Sequence, residues 1–342
     1  MKAAWKRARY RLEWLVLMGV LKVVPLFSRN ACYRFGGAVG ALAAKVDRRG
    51  YRVAMANLEA AFGDRYTATQ RAAIARESYQ HFARTMLDLF WSPRLRADNY
   101  HEYIEFDEEG IERTRRETAE EGHTGVVGSF HYSNFEWLSL ACGWLGYPSA
   151  ITTQEFKNPL LDVFFQKLRE RSGHTTVPRQ GAVLKLFNML RKRGRVALLV
   201  DTTLPPHHPT IVIECFGLKT IITVAHAWLQ ARTGLPMLPL NCEPLGGGRY
   251  RVVAHPLVRP AEDATHREIA QACWNAFEPT VRENPAPWLW MYKHWRYKPA
   301  VGGERYPFYA QESPAFEQVA ARENYAPLER SALPGATTAR AR

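Results

Sequence analysis

From Val126 to Ala254, short apolar runs alternate with longer amphipathic segments, and few folds accommodate that alternation. Strands are expected at Val126–Phe130, Ser149–Thr153, Val196–Val200, Met237–Leu240 and Tyr250–Ala254. Helical spacing of apolar residues falls between them, at Phe135–Leu145, Pro159–Arg171, Ala182–Lys192 and Val224–Arg232. Near-continuous apolar runs of four or five residues suit strands buried on both faces, and intervening helices cover those faces. The expected fold class is therefore α/β: a layered domain with a central mixed sheet flanked by helices. Thr265–Glu283 reads as a long helix after the last strand. Phe216-Gly217 and Thr233-Gly234 read as turns, and Gly246-Gly247-Gly248 as a hairpin turn rather than a phosphate loop, because a strand pattern follows it.

The first strand ends in Gly128-Ser129-Phe130-His131, and Glu136 follows at the start of a helical pattern. Open α/β sheets place their chemistry at such strand ends. A histidine that takes a proton from a hydroxyl needs a partner to fix its tautomer and stabilise the imidazolium, and Glu136 is a candidate for that part. Ser133-Asn134-Phe135-Glu136 equally fits a capping box, with Ser133 as N-cap and Glu136 at the third helical position. Arg179 lies in a loop before a helix, where it either holds a phosphate or oxyanion or is a solvated surface residue. Asp201 ends the strand Val196–Val200 and reads either as a ligand-facing residue or as a turn cap. His207 and His208 are adjacent and point in different directions, which makes them poor joint metal ligands.

With 342 residues and 46% hydrophobic content, the chain has ample material for a core. Its net charge of +13 favours anionic partners, such as phospholipid head groups, phosphorylated glycolipids or an acidic carrier protein. Nucleic acid is disfavoured, since no zinc-finger spacing, RNA-binding aromatic motif or lone basic recognition helix is present. The five cysteines are scattered, with no Cys-x-x-Cys pair, which argues against disulfides and structural zinc and for a reducing compartment.

Lys2, Lys6, Arg7, Arg9 and Arg11 interleave with Trp5, Tyr10 and Trp14, and Leu15–Phe27 is strongly apolar but for Lys22 and Pro25. A membrane span needs roughly 20 apolar residues. This shorter, interrupted run reads as an uncleaved hydrophobic helix, membrane-embedded or interfacial, or else as an ordinary buried helix. Val53–Phe62 and Gln70–Phe90 also have helical spacing, with Thr67 or Thr69 as cap of the second. Trp288–Lys298 is aromatic and basic together, suiting a core with cations at its edge or a lipid-facing surface. The expected division is residues 1–30 as a membrane-associated helix, 31–312 as the α/β domain, and 313–342 as a poorly ordered tail.

In this order, the pieces resemble the bacterial lipid A biosynthesis (late) acyltransferase family, a branch of the lysophospholipid acyltransferase superfamily, from about residue 12 to about residue 300. The resemblance rests on Arg52–Leu58 with its Asn57-Leu58, the His131…Glu136 pair, Asn158-Pro159, Arg169-x-x-x-Gly173, Gly194–Asp201, Phe216-Gly217, Thr233–Pro236 and above all Pro287-Trp288-Leu289-Trp290. Thr202 and Tyr292 depart from the family pattern, which bears on the acceptor. The resemblance implies transfer of a fatty acyl group from a thioester, of acyl carrier protein or coenzyme A, to a hydroxyl of an anionic lipid A precursor or related lipid. His131 would be the general base and Glu136 its orienting partner, with no acyl-enzyme, metal or cofactor required. Arg179, Asp201, Asn134 and Arg169 are then expected to bind substrate. The implied location is the cytoplasmic face of the bacterial inner membrane. Two competing readings are a thioesterase or lipase, against which stands the lack of a Gly-x-Ser-x-Gly elbow, and a non-catalytic lipid-binding or scaffold protein.

Overall fold

A computed structural model describes residues 2–119, 125–153, 156–179 and 181–325. Four helices come first: α1 (Lys2–Val23), α2 (Arg29–Val46), α3 (Arg48–Phe62) and α4 (Ala68–Trp91). Thr67 caps α4 in a full capping box with Gln70. Leu17, Met18 and Leu21 of α1 pack on Leu89 of α4 and on Phe164. α1 is thus mostly exposed, with Tyr10, Glu13, Leu17, Met18, Val20 and Leu21 partly buried. No helix among the described residues is long and apolar enough to cross a membrane.

The α/β layer follows as β1 (Ile104–Phe106), α5 (Glu108–Thr118), β2 (Val126–Ser129), α6 (Phe135–Trp144), β3 (Ala150–Thr153), α7 (Pro159–Glu170), β4 (Thr175–Pro178), α8 (Ala182–Arg191) and β5 (Val196–Leu199). Then come β6 (Thr210–Cys215), β7 (Leu218–Thr223), α9 (Ala225–Thr233), β8 (Met237–Gly246) and β9 (Arg249–Ala254). The chain continues through α10 (His266–Asn275), α11 (Glu278–Glu283), β10 (Tyr297–Lys298), β11 (Gln311–Glu312) and α12 (Pro314–Ala320).

Seven strands form one sheet in the order β1-β9-β8-β2-β5-β3-β4. All neighbours are parallel except β8 and β9, which pair antiparallel across Gly246, Gly247 and Gly248, all at positive φ. Val126 of β2 and Val196 of β5 are fully buried at the sheet centre. β6 and β7 form a separate antiparallel hairpin turned at Phe216-Gly217.

Two expectations are corrected, and one open reading is narrowed. Thr265–Glu283 is two helices, because Pro279 lacks an N–H and its ring clashes with the carbonyl of Asn275. Of the two readings of Trp288–Lys298, the core holds for Trp288, Trp290 and Trp295, at 1% exposure or less, while Lys293, Arg296 and Lys298 are half-buried. Part of the expected tail is ordered. Ser313 caps α12, whose Phe316 is fully buried against Val212 and Ile221; residues 326–342 lie outside the described residues.

Candidate active site

β2 and β5 pair in parallel with Ser129 opposite Leu199. The Val200 N–H donates to the Ser129 carbonyl at 2.8 Å, so the pairing continues past the strand ends. His131 and Asp201 each lie two residues beyond that last pair. Residues two apart on a strand share a face, and the register sets these two side by side. His131 Nδ1 is 2.8 Å from Asp201 Oδ1, and the His131 backbone N–H donates to Asp201 Oδ2 at 3.0 Å. Trp288 Nε1–H donates to the same Oδ2 at 3.0 Å.

Trp288 reaches this point because the chain around it is laced to the turn after β2. The Ser133 N–H donates to the Pro287 carbonyl and the Leu289 N–H to the His131 carbonyl. The ring of His294 stacks on Trp288 at 3.9 Å between centroids. Burial pushes the His294 pKa down to about 4, so it faces the dyad as a neutral ring.

Asp201 is 4% exposed, while the His131 side chain keeps 23% of its surface open. Burial opposes ionisation of Asp201, but the facing His131 and its hydrogen bond, then His294 and Trp288, outweigh it. The carboxyl is held below its usual range. Burial likewise opposes charging His131. The Asp201 charge and hydrogen bond, with Glu136 behind them, outweigh it and raise the imidazole pKa. A base so held has one ring nitrogen committed and its protonated form stabilised, as proton abstraction from a hydroxyl requires.

Glu136 is the second residue of α6 but not part of a Ser133 capping box. The cap is Asn134, whose Oδ1 accepts from the Trp137 N–H at 3.0 Å, while Ser133 takes the strained φ of 49° that turns the chain. The Glu136 carboxylate accepts a two-pronged bond from Arg169 of α7, Nε at 3.0 Å and Nη2 at 2.5 Å. Glu136 therefore adds to the field at His131, but the hydrogen bond to Nδ1 belongs to Asp201, so the expected orienting part passes from one carboxylate to the other.

The other expected substrate-binding residues divide. Arg169 and Arg179 line the same cavity as His131 and Glu136. Asp201 stands behind His131 as its hydrogen-bond partner rather than facing a ligand. Asn134 is fully buried and points away from the cavity, because its Nδ2 donates to Asp88 Oδ2 at 2.8 Å. That buried Asp88 also receives both Nη groups of Arg29 and the hydroxyl of Tyr250. The network ties α2, α4 and β9 to the start of α6 and so fixes the turn that carries His131. Asn158 makes a similar tie further out. It caps α7 and donates to the Tyr10 carbonyl and Glu13 of α1, linking α1 to the helix that carries Arg169.

The cavity has a volume of about 1450 Å³ and His131 is part of its lining. Val127, Leu199, Leu238 and Leu240 line its sheet side, and Leu138 and Cys142 of α6, with Leu145 just after it, its helix side. From Glu136 to Leu145 the lining follows α6 for roughly 13 Å, at about 1.5 Å per residue. A mostly apolar slot whose lining also includes an imidazole, a carboxylate and several arginines fits a long hydrocarbon carrying a polar, reactive end. No group of three or more His, Cys, Asp or Glu residues placed to hold a metal occurs among the described residues. All five cysteines are free.

Residues 1–297 match the family model described as bacterial lipid A biosynthesis acyltransferase. The chain is also 24% identical over 307 residues to the lipid A biosynthesis lauroyltransferase of Escherichia coli (strain K12), covering 87% of this chain and 95% of that protein.

Proposed function

Because this chain belongs to the bacterial lipid A biosynthesis acyltransferase family and is therefore an O-acyltransferase, we propose that it moves a fatty acyl group from an acyl thioester to a hydroxyl of a lipid A precursor, with His131 as general base. The observation that carries this reading is the His131–Asp201 pair, with His131 lining the long apolar cavity. The acyl chain lies between the sheet and α6, with its thioester carbonyl near His131. His131 Nε2 takes the proton of the acceptor hydroxyl, whose oxygen attacks the carbonyl carbon. The tetrahedral intermediate collapses, the C–S bond breaks as the C–O bond stays, and the imidazolium returns its proton to the departing sulfur. Asp201 holds the tautomer and stabilises the imidazolium. Arg179 meets the developing oxyanion or an acceptor phosphate. Glu136, locked by Arg169, raises the proton affinity of His131 from the cavity side.

The donor is acyl carrier protein or coenzyme A thioester, and the basic surface suits either. α1 lies on the cytoplasmic face of the inner membrane without crossing it. Its side chains Trp5, Leu12, Leu15 and Val16 are exposed, Trp5 at 72%, among Lys6, Arg7, Arg9 and Arg11.

The test is to incubate purified protein with each acyl thioester and a lipid A precursor, reading product mass. An ester-linked acyl chain on the lipid is expected, lost in His131→Ala. Release of free fatty acid with no acylated lipid at saturating acceptor would favour the thioesterase reading. Retention of near wild-type transfer by His131→Ala would remove the base from His131.

A further inference from the structure

α2 packs antiparallel on α4 through small residues. Side chains on Gly36 and Gly37 would press on Arg84, and one on Gly40 would overlap the Gln80 backbone. Each step of one turn along α2 moves one turn back along α4, which sets Ala44 across from Arg76. With the small residues turned inward, Phe35, Val39, Leu42 and Val46 face outward at spacings of four, three and four. They form one apolar stripe, exposed by 60%, 42%, 62% and 73%.

At the C-terminal end of that stripe lies a second cavity of about 530 Å³, lined by Lys45, Arg48, Arg52 and Arg76 with Ala44 and Tyr51. All four cations are exposed. Among the described residues, none of them has a carboxylate within ion-pair range. The nearby acids are committed elsewhere. Asp47 accepts from the Gly50 N–H at 2.9 Å and the Tyr79 hydroxyl at 2.7 Å, and Glu77 faces His81 at 3.7 Å. Arg52 also lies over the ring of Phe308, itself 61% exposed. Four like charges around one concavity repel each other unless an anion joins them. An acidic protein would meet the charges but leave the adjoining hydrocarbon stripe in water. An anion attached to hydrocarbon satisfies both.

We propose that the cavity formed by Lys45, Arg48, Arg52 and Arg76 holds the phosphate of an anionic membrane phospholipid, while Phe35, Val39, Leu42 and Val46 enter the acyl region beside it. This rests on the membrane reading above and is independent of the acyl-transfer chemistry. It adds α2 and the start of α3 to the membrane-facing surface begun by α1.

The experiment is flotation of the full-length chain with phosphatidylcholine vesicles, with and without phosphatidylglycerol. Wild type, Arg48→Gln/Arg52→Gln, Leu42→Ser/Val46→Ser and a distant control, Arg191→Gln/Lys192→Gln, are compared after melting curves verify folding. Removing two cations at the site is expected to weaken partitioning into anionic vesicles about tenfold or more, with little change on phosphatidylcholine alone. The serine pair should weaken binding to both vesicles. The control should bind as wild type, and R48Q/R52Q should keep its activity on detergent-dispersed substrate. Equal losses in the control and the site variant would reduce the effect to bulk charge and overturn the site. So would inorganic phosphate raising the melting temperature of wild type while vesicle charge has no effect. Loss of acyl carrier protein binding in R48Q/R52Q with vesicle binding intact would also overturn it, in favour of a carrier surface. A wild-type chain that floats with neither vesicle removes the membrane reading and this site with it, while lipid acylation in detergent would still stand.

Discussion

Replacing Asp201 by Asn tests the dyad most directly, because the three contacts of the carboxylate cannot all survive. Two donors, the His131 N–H and the Trp288 indole N–H, converge on Oδ2, and His131 Nδ1 faces Oδ1. An amide offers one acceptor oxygen. If that oxygen keeps the two N–H donors, the amide nitrogen faces Nδ1 and forces the imidazole proton onto Nε2. The ring then presents a donor where the reaction needs an acceptor. The expected loss in kcat is on the order of 100- to 10,000-fold, the usual worth of a general base, or roughly 2.7–5.4 kcal/mol of barrier.

The pH dependence supplies an independent sign. With His131 as the proposed base, the neutral imidazole would be the active form, so kcat/KM should rise with pH through the raised pKa of His131. Removing the Asp201 charge should move that limb to lower pH even as the plateau falls. Stability behaves differently. The depressed pKa of Asp201 contributes stability that is complete above about pH 3.9, the unfolded value, and lost on acidification through the folded one. The raised pKa of His131 contributes stability that is complete below about pH 6.5 and lost as pH rises through its folded value. The melting difference between wild type and D201N should therefore peak at roughly pH 5–6 and shrink on either side. Stopped acyl-transfer assays and thermal melts over the same pH series read both. A D201N enzyme within about threefold of wild-type kcat, with an unmoved acid limb, would refute the dyad.

Arg169→Ala leaves the nearly buried Glu136 carboxylate without its fork, so a loss of about 3–5 kcal/mol is expected by denaturant melting. Glu136→Ala frees a guanidinium that is 21% exposed and should cost less, so the reverse ranking would contradict the pairing. Arg179→Lys keeps charge but loses the planar fork, and should lower kcat about tenfold with little change in melting if Arg179 meets the reacting groups. Cys142→Trp narrows the cavity along α6. Competition between thioesters of different length should then shift toward shorter chains, and an unchanged preference would place the acyl chain elsewhere. Phe316→Ala should cost about 3–5 kcal/mol, whereas a tail without packing would lose nothing measurable.

What the sequence made legible follows from how each element is buried. β2, β3 and β5 are central parallel strands, so their apolar runs stand out, and the helices between them end within two residues of expectation. β4 (Thr-Thr-Val-Pro) is an edge strand whose threonines and proline carry no strong alternation. The β6–β7 hairpin showed only its turn. The strand end alone points to His131. The sequence puts Asp201 at its own strand end but does not join it to His131, since only pairing of β2 with β5 brings together residues 70 positions apart. A signal was available: each residue stands at the same offset beyond its apolar run. The partner of Glu136 had no such signal, because helix-to-helix contacts such as α6 on α7 leave no period in sequence. Trp288-Leu289-Trp290 was recognisable as a motif, yet its part in holding Asp201 became visible only in three dimensions.

The indole bond from Trp288 also bears on when the enzyme becomes an enzyme. His131 and Asp201 both leave the ribosome before the residue that braces them, and Trp288 comes 87 positions after Asp201. At about 5–20 residues per second, that interval is roughly 4–17 s. Throughout it the nascent chain can form the central strands but holds an unbraced aspartate at their end. On the proposed mechanism, catalytic competence is therefore a late event of synthesis, and a polypeptide stalled before residue 288 would lack the brace on Asp201.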